Sequence, residues 1–212
     1  MTVPLEVHPD PAAAARRVAS LIAERMRAGA FTIALSRGAE LLARLTEEDV
    51  SWPEASVFQV DERIAPPDHE DRNVTQLDAF LPRRVFRPMP VEEPDLETAA
   101  ARYASELPGA IGLVHLGLGP DGHTASLVPG DPVLDVTDEL VAVTQEYQGH
   151  RRMTLTYPAL EAAREIVWLV TGEEKRDVLA RLLARDTTIP AARIANTHQR
   201  IITDSATVSG GS

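Results

Sequence analysis

The sequence predicts an α/β protein: a three-layer, Rossmann-like domain whose mostly parallel sheet is flanked by helices. Short apolar runs of strand length, at 31–35, 57–60 and 166–170, alternate with amphipathic helical segments. Strands buried on both faces read as continuous apolar runs of this kind. Hydrophobic residues make up 44% of the 212-residue chain but aromatics only 4%, so Ala, Leu, Val and Ile fill the interior. That length suits one domain over 1–212, with a flexible Gly-rich end from about 206.

In chain order, Asp10-Pro11 supplies an N-cap and a first-turn proline. Val18, Leu21, Ile22, Arg25 and Met26 follow at helical spacing, and Gly29 is the stop. The run 31–35 ends at Ser36-Arg37-Gly38, before a helix with Leu41, Leu42 and Leu45 on one face. Such a strand–turn–helix unit can place helix N-terminal amides on a phosphate. The strand 57–60 runs into Asp61-Glu62-Arg63, and the Pro-rich, charged stretch 64–72 reads as a loop. Asn73 is expected to cap a helix over 74–81, with 82–94 irregular and 96–107 helical. The apolar run 111–118 then breaks at Gly119-Pro120-Asp121-Gly122-His123, a tight turn presenting a carboxylate and an imidazole. A strand at 140–144, a polar loop with His150, Arg151 and Arg152, and a helix at 158–164 come next. After the strand 166–170, Thr171-Gly172 leads into a helix with Lys175 in its first turn, and 200–203 is a last short strand.

The net charge of −11 argues against a nucleic-acid or anionic-membrane partner. The absence of cysteine removes disulfides, thiol catalysis and Cys-based zinc sites. Asp61, Glu62, His69, Glu70 and Asp71 have the composition of a metal cluster. Their spacing fits no metal motif, so they read as a solvated acidic loop and no metal is expected. Met1-Thr-Val-Pro-Leu-Glu6 lacks the regions of a signal peptide and no apolar run has membrane length, so a cytoplasmic location is expected.

In a parallel sheet the turns after successive strands share one edge, where ligands bind. Ser36-Arg37-Gly38, Asp61-Glu62-Arg63, Asp121-Gly122-His123 and Lys175 should therefore converge. Several cations around one imidazole suit a phosphorylated substrate and proton transfer, because an ordinary imidazole titrates near pH 6.5. His115, within the apolar run, reads instead as a hydrogen-bonded interior histidine, and Trp52 and Trp168 as packing residues. No Gly-x-Ser-x-Gly elbow and no P-loop are present.

Gly117-Leu-Gly-Pro-Asp-Gly-His-Thr-Ala-Ser-Leu-Val-Pro-Gly130 resembles the signature of the 6-phosphogluconolactonase family, within the glucosamine-6-phosphate isomerase/6-phosphogluconolactonase superfamily. Val60-Asp-Glu-Arg63 with Asn73, Arg152-Met-Thr-Leu-Thr156, Leu169-Val-Thr-Gly-Glu-Glu-Lys175 and Pro190-Ala-Ala-Arg193 resemble further family blocks, in order. The resemblance implies hydrolysis of 6-phospho-D-glucono-1,5-lactone to 6-phosphogluconate without metal or organic cofactor, by a monomer or small homo-oligomer. It implies His123 as general base, with Asp121 and Asp61 orienting it or the sugar hydroxyls and Arg63 stabilising developing charge. Arg152 and Lys175 correspond to phosphate-holding positions, and Ser36, Arg37, Gly38, Asn73 and Gly122 complete the expected binding set.

The first turn departs from the family's Ser-Gly-Gly-Ser/Arg-Thr-Pro, reading Ser36-Arg-Gly-Ala-Glu-Leu41. Arg37 is expected to serve there as a substitute phosphate donor, whereas Glu40 would repel phosphate if it faced the site. A glucosamine-6-phosphate deaminase is the nearest alternative. Deaminases resemble Gly-His-Ile-Ala-Phe-Asn-Glu-Pro at this point, whereas Thr124-Ala-Ser-Leu-Val-Pro129 places no acid after the histidine. A non-catalytic sugar-phosphate-binding or regulatory protein is the alternative of a different class.

Overall fold

The computed structural model describes residues 3–29, 31–50 and 52–208. The elements run β1 (Leu5–His8), α1 (Pro11–Arg27), β2 (Phe31–Leu35), α2 (Ala39–Glu47), β3 (Ala55–Gln59), β4 (Asp61–Arg63) and α3 (Asn73–Leu77). They continue β5 (Phe86–Arg87), α4 (Leu96–Glu106), β6 (Leu113–Leu116), β7 (Val141–Val143), β8 (Arg152–Leu155) and α5 (Tyr157–Glu161). Then come β9 (Ile166–Val170), α6 (Arg176–Leu183), β10 (Gln199–Asp204) and α7 (Ser205–Val208). Of the end expected to be flexible, α7 covers the first part, and residues 209–212 lie outside the described residues.

Seven strands form one parallel sheet in the order β1-β10-β9-β6-β2-β3-β5. Side chains alternate across it. Ile33, Leu35, Leu113, Val167 and Ile202 pack with Val18, Ile22 and Met26 of α1 and Leu41, Leu42 and Leu45 of α2. Ala34, Val114, Leu116, Ile166, Trp168 and Ile201 pack with Ala99 and Tyr103 of α4, Leu160 of α5 and Leu179 of α6. Both faces are therefore covered, as the continuous apolar runs predicted, and β2 and β9 carry their expected bounds. Asp10 caps α1, its carboxylate accepting from Ala13 N at 2.7 Å. Among the described residues no helix is long and apolar enough to cross a membrane.

A second sheet, antiparallel in the order β4-β8-β7, corrects two readings. Asp61-Glu62-Arg63 is a strand of this sheet, not a loop following β3, and Arg152 opens β8 instead of lying in a polar loop. The strand β1 and the two-residue edge strand β5 were also unanticipated. Nor are Asp61 and Glu62 part of a solvated acidic loop: they are 5% and 0% exposed.

Glu62 is the anchor of this region. Its carboxylate accepts from Gln59 Nε2 at 2.9 Å, Arg63 N at 2.8 Å, Asn73 N at 2.7 Å and Val74 N at 2.8 Å. The last two donors are N-terminal amides of α3, so Glu62 caps that helix from a distant strand. Asn73 was expected to do so, but it is the first residue of a shorter helix and its side chain bonds Asp61 instead.

Candidate active site

The carboxyl ends of the parallel strands deliver a cleft of about 250 Å³ lined by Ser36, Arg37, Asp61, Arg63, Asn73, Gly117, His123, Arg152 and Lys175, among others. The strand order places the turn after β6, which carries His123, between the turn after β9, leading to Lys175, and the turn after β2, with Ser36-Arg37-Gly38. The expected convergence is thus met for these turns. Gly38, Glu62, Asp121 and Gly122 do not line the cleft.

The 119–123 turn is closed by Gly119 N donating to His123 O at 2.8 Å and Gly122 N to Gly119 O at 3.0 Å. A Cβ on Gly119 would stand 2.2 Å from the His123 ring, so only glycine lets the imidazole fold back over the turn. Gly122 has φ +85 and faces Ile189, where a Cβ would lie 2.4 Å from that side chain. It is absent from the cleft lining, and its carbonyl accepts from Ala191 N at 3.0 Å. Gly122 therefore shapes the turn.

Asp121 Oδ1 lies 2.5 Å from His123 Nδ1 and also accepts the backbone N–H of His123 at 3.1 Å. Tyr147 donates its hydroxyl to the other carboxylate oxygen, Asp121 Oδ2, at 3.0 Å. Burial opposes ionisation of Asp121, but these bonds and the neighbouring imidazole outweigh it and hold the carboxyl below its ordinary pKa. Burial, then the Asp121 carboxylate, push the Tyr147 phenol upward, so it remains a donor. A carboxylate on Nδ1 favours the tautomer with Nδ1 protonated, leaving the Nε2 lone pair for a bound water. Tyr147 also stands edge-on to the His123 ring, centroids 5.7 Å apart, and its own face carries the Arg152 guanidinium at 4.9 Å. No spacing rule points to Tyr147: it reaches Asp121 from a loop that only the β7–β8 pairing brings alongside.

Asp61 is tied elsewhere. Its carboxylate accepts from Ser126 Oγ at 2.6 Å and Asn73 Nδ2 at 3.1 Å. The two candidate orienting aspartates thus separate: Asp121 holds the imidazole, while Asp61 binds the β4 strand to Ser126 and Asn73.

Arg63 and Arg152 are directly opposed in the β4–β8 register. Like charges at opposed positions repel, and burial, then the neighbouring Arg63, lower the pKa of Arg152. Arg63 donates to Asp71 O at 2.5 Å and Arg152 to Tyr147 O at 3.3 Å, but the buried Nε of each has no partner. Two such cations beside a polar cleft make a seat for an anion. Arg37 is exposed and lines the cleft, whereas Glu40 points away and pairs with Arg44 at 2.9 Å on α2. Glu40 therefore does not oppose an anion there.

His115 is interior, as expected: it is 2% exposed, and burial, only partly offset by the Ser36 backbone, pushes its pKa down to about 4 and keeps the ring neutral.

A family model described as glucosamine-6-phosphate isomerases/6-phosphogluconolactonase matches residues 9–203. A curated 6-phosphogluconolactonase from Nostoc sp. (strain PCC 7120) is 34% identical over 204 residues, 85% of each chain. A solved 6-phosphogluconolactonase structure from Trypanosoma brucei superposes with TM-score 0.80 at 25% identity, covering 97% of each chain. A solved monomeric glucosamine-6-phosphate deaminase superposes with TM-score 0.87 at 14% identity, covering 97% of this chain and 98% of its own. That last likeness concerns the fold alone.

Proposed function

This chain belongs to the glucosamine-6-phosphate isomerase/6-phosphogluconolactonase family, and from that membership we propose that it hydrolyses 6-phospho-D-glucono-1,5-lactone to 6-phosphogluconate, with His123 as general base. The observation that carries the chemistry is the Asp121–His123 pair at the cleft, 2.5 Å apart, beside two arginines with unpartnered nitrogens.

His123 Nε2 takes a proton from water as the water attacks the lactone carbonyl, and Asp121 stabilises the imidazolium that forms. Negative charge grows on the carbonyl oxygen, where Arg63 supplies a fixed donor. As the tetrahedral intermediate collapses, the bond to the ring oxygen breaks and His123 returns its proton to that leaving alkoxide. Arg152 and Lys175, with Ser36, Arg37, Gly38 and Asn73, take the phosphate. The reaction belongs to the oxidative pentose phosphate pathway, and its substrate is a small phosphorylated lactone.

Two variants test the parts. Tyr147→Phe removes the hydroxyl that holds Asp121 Oδ2 and lowers that carboxyl's pKa. At about 1 kcal/mol for one such bond, kcat should fall roughly threefold to tenfold with KM little changed. The Asp121 carboxyl, having lost a donor that favours its ionised form, should titrate at higher pH in the variant, read by carbon-13 NMR of its carboxyl group. A change confined to KM would contradict this role. Arg37→Gly should raise KM for the phosphorylated lactone about fivefold, a figure reduced for the exposure of the side chain, and leave kcat intact. An unchanged or lower KM would count against Arg37 as a phosphate donor.

A further inference from the structure

We propose that His69, Asp71 and His150 form a binding site for a divalent transition-metal ion of the Zn2+ class beside Arg63, which lines the cleft. His69 and Asp71 belong to the stretch after β4, and His150 comes 79 positions after Asp71, just before β8. Among the described residues this is the only group of at least three His, Asp or Glu side chains with ligand atoms all within 4.8 Å of one another.

The spacing suits a small ion. Asp71 Oδ2 lies 3.0 Å from His150 Nε2 and 3.7 Å from His69 Nδ1. Two ligands of a tetrahedral ion with bonds of about 2.0–2.1 Å are roughly 3.3 Å apart, between those two separations. The two imidazole rings meet edge to face with centroids 5.5 Å apart, so both can turn a nitrogen toward the carboxylate. Two imidazoles and one carboxylate favour zinc, nickel or copper over magnesium or calcium, which take oxygen ligands. All three residues retain solvent exposure, so an ion can enter and water can complete the coordination.

The protons also balance. His69 Nδ1 accepts the Asp71 backbone N–H at 3.2 Å, so that nitrogen already carries a lone pair, and ligation replaces a long hydrogen bond. His150 Nε2 faces the Asp71 carboxylate at 3.0 Å. Ligation uses the Nε2 lone pair of the neutral ring, whose hydrogen then sits on Nδ1, and any proton on Nε2 passes to solvent. The opposing charge nearby is Arg63, which donates to the Asp71 carbonyl but forms no ion pair with its carboxylate among the described residues.

An ion here would tie the stretch carrying Asp71, whose carbonyl holds Arg63, to the Tyr147–His150 turn that leads into Arg152. The site is a clip between two loops, separate from the Asp121–His123 pair.

Zn2+ titration of the chelator-treated whole chain, followed by calorimetry and by the midpoint of thermal unfolding, tests this. Wild type should bind one Zn2+ per chain with a rise in Tm. His69→Ala, His150→Ala and Asp71→Asn should each bind at least about tenfold more weakly and lose most of the rise. Without metal their Tm values should match wild type, since the replaced side chains are on the surface. His123→Ala must retain the binding, because Asp121 and His123 are the more tightly paired of the competing imidazole–carboxylate pairs, the other being Glu6 and His8 at 3.9 Å. The proposal is overturned if wild type does not bind Zn2+, if the three variants bind as wild type does, or if His123→Ala is the variant that loses the ion.

Discussion

Replacing His123 with alanine lowers kcat for the phosphorylated lactone by roughly 10²–10⁴-fold, the usual contribution of a positioned general base, and leaves KM within about twofold. The asymmetry follows from placement. The imidazole is held by Asp121 at 2.5 Å, inside a cleft whose cations come from other elements. The variant therefore keeps Arg63, Arg152 and Lys175 for substrate binding while losing the group that accepts the water proton. Because a δ-lactone also hydrolyses unaided, the rate must be corrected for the reaction in buffer. Equal corrected rates for wild type and variant would remove His123 from the mechanism, and an increase in KM alone would reassign it to binding.

The largest effect on stability belongs to Glu62. Its carboxylate is fully buried, accepts four hydrogen bonds and has Arg72 Nε at 3.8 Å. Glu62→Ala leaves three backbone N–H groups and an amide without their acceptor, and leaves the buried Arg72 cation with one carboxylate fewer. Losing one partner from such a buried charged network costs about 3–5 kcal/mol. For a domain of this size that lowers Tm by roughly 10 °C. The loss should also reach the cleft, since Glu62 fixes the backbone of Arg63 and Asn73, neighbours of Asp61. Thermal unfolding followed by circular dichroism checks the figure; a Tm within about 2 °C of wild type would mean that water replaces these bonds at little cost.

Much of the parallel sheet was legible because its strands are apolar on both faces. Phe31–Leu35 and Ile166–Val170 have no polar alternation to blur their ends, and both match residue for residue. The strand β5 was not legible: two residues, Phe86 and Arg87, pair at the sheet edge and leave no periodicity. The strands β4 and β8 were missed for a different reason. Asp61-Glu62-Arg63 and Arg152 look like loop residues by composition, yet all but Arg63 are buried, because Glu62 bonds the first amides of α3, Asp61 bonds Ser126 and Asn73, and Arg152 faces the cleft.

The candidate site shows the same division. The residues grouped by the rule that ligands meet the carboxyl ends of parallel strands line one cleft, apart from Gly38 beside Arg37, Asp121 behind His123, Gly122 under it and Glu62 in the interior. The contacts that give them direction were not readable. Tyr147 bonds Asp121 across 26 positions, and Ser126 bonds Asp61 across 65. Both depend on the antiparallel sheet, of which only the apolar β7 was anticipated, while the charged β4 and the start of β8 carry no apolar signature. Glu40, expected to matter only if it faced inward, faces Arg44.

Fold likeness does not separate lactone hydrolysis from deamination, since a solved deaminase superposes as closely as a TM-score of 0.87. The residues after His123 do: Thr124-Ala125-Ser126-Leu127 supplies no carboxylate, and Ser126 is spent on Asp61. The most direct test is therefore proton release at constant pH from freshly generated 6-phospho-D-glucono-1,5-lactone, with the protein and in buffer alone, beside an ammonia assay on glucosamine 6-phosphate. Acceleration of lactone opening in proportion to protein concentration, with no ammonia released, is the predicted result. Lactone decay at the unaided rate, or ammonia from the amino sugar, would contradict the account.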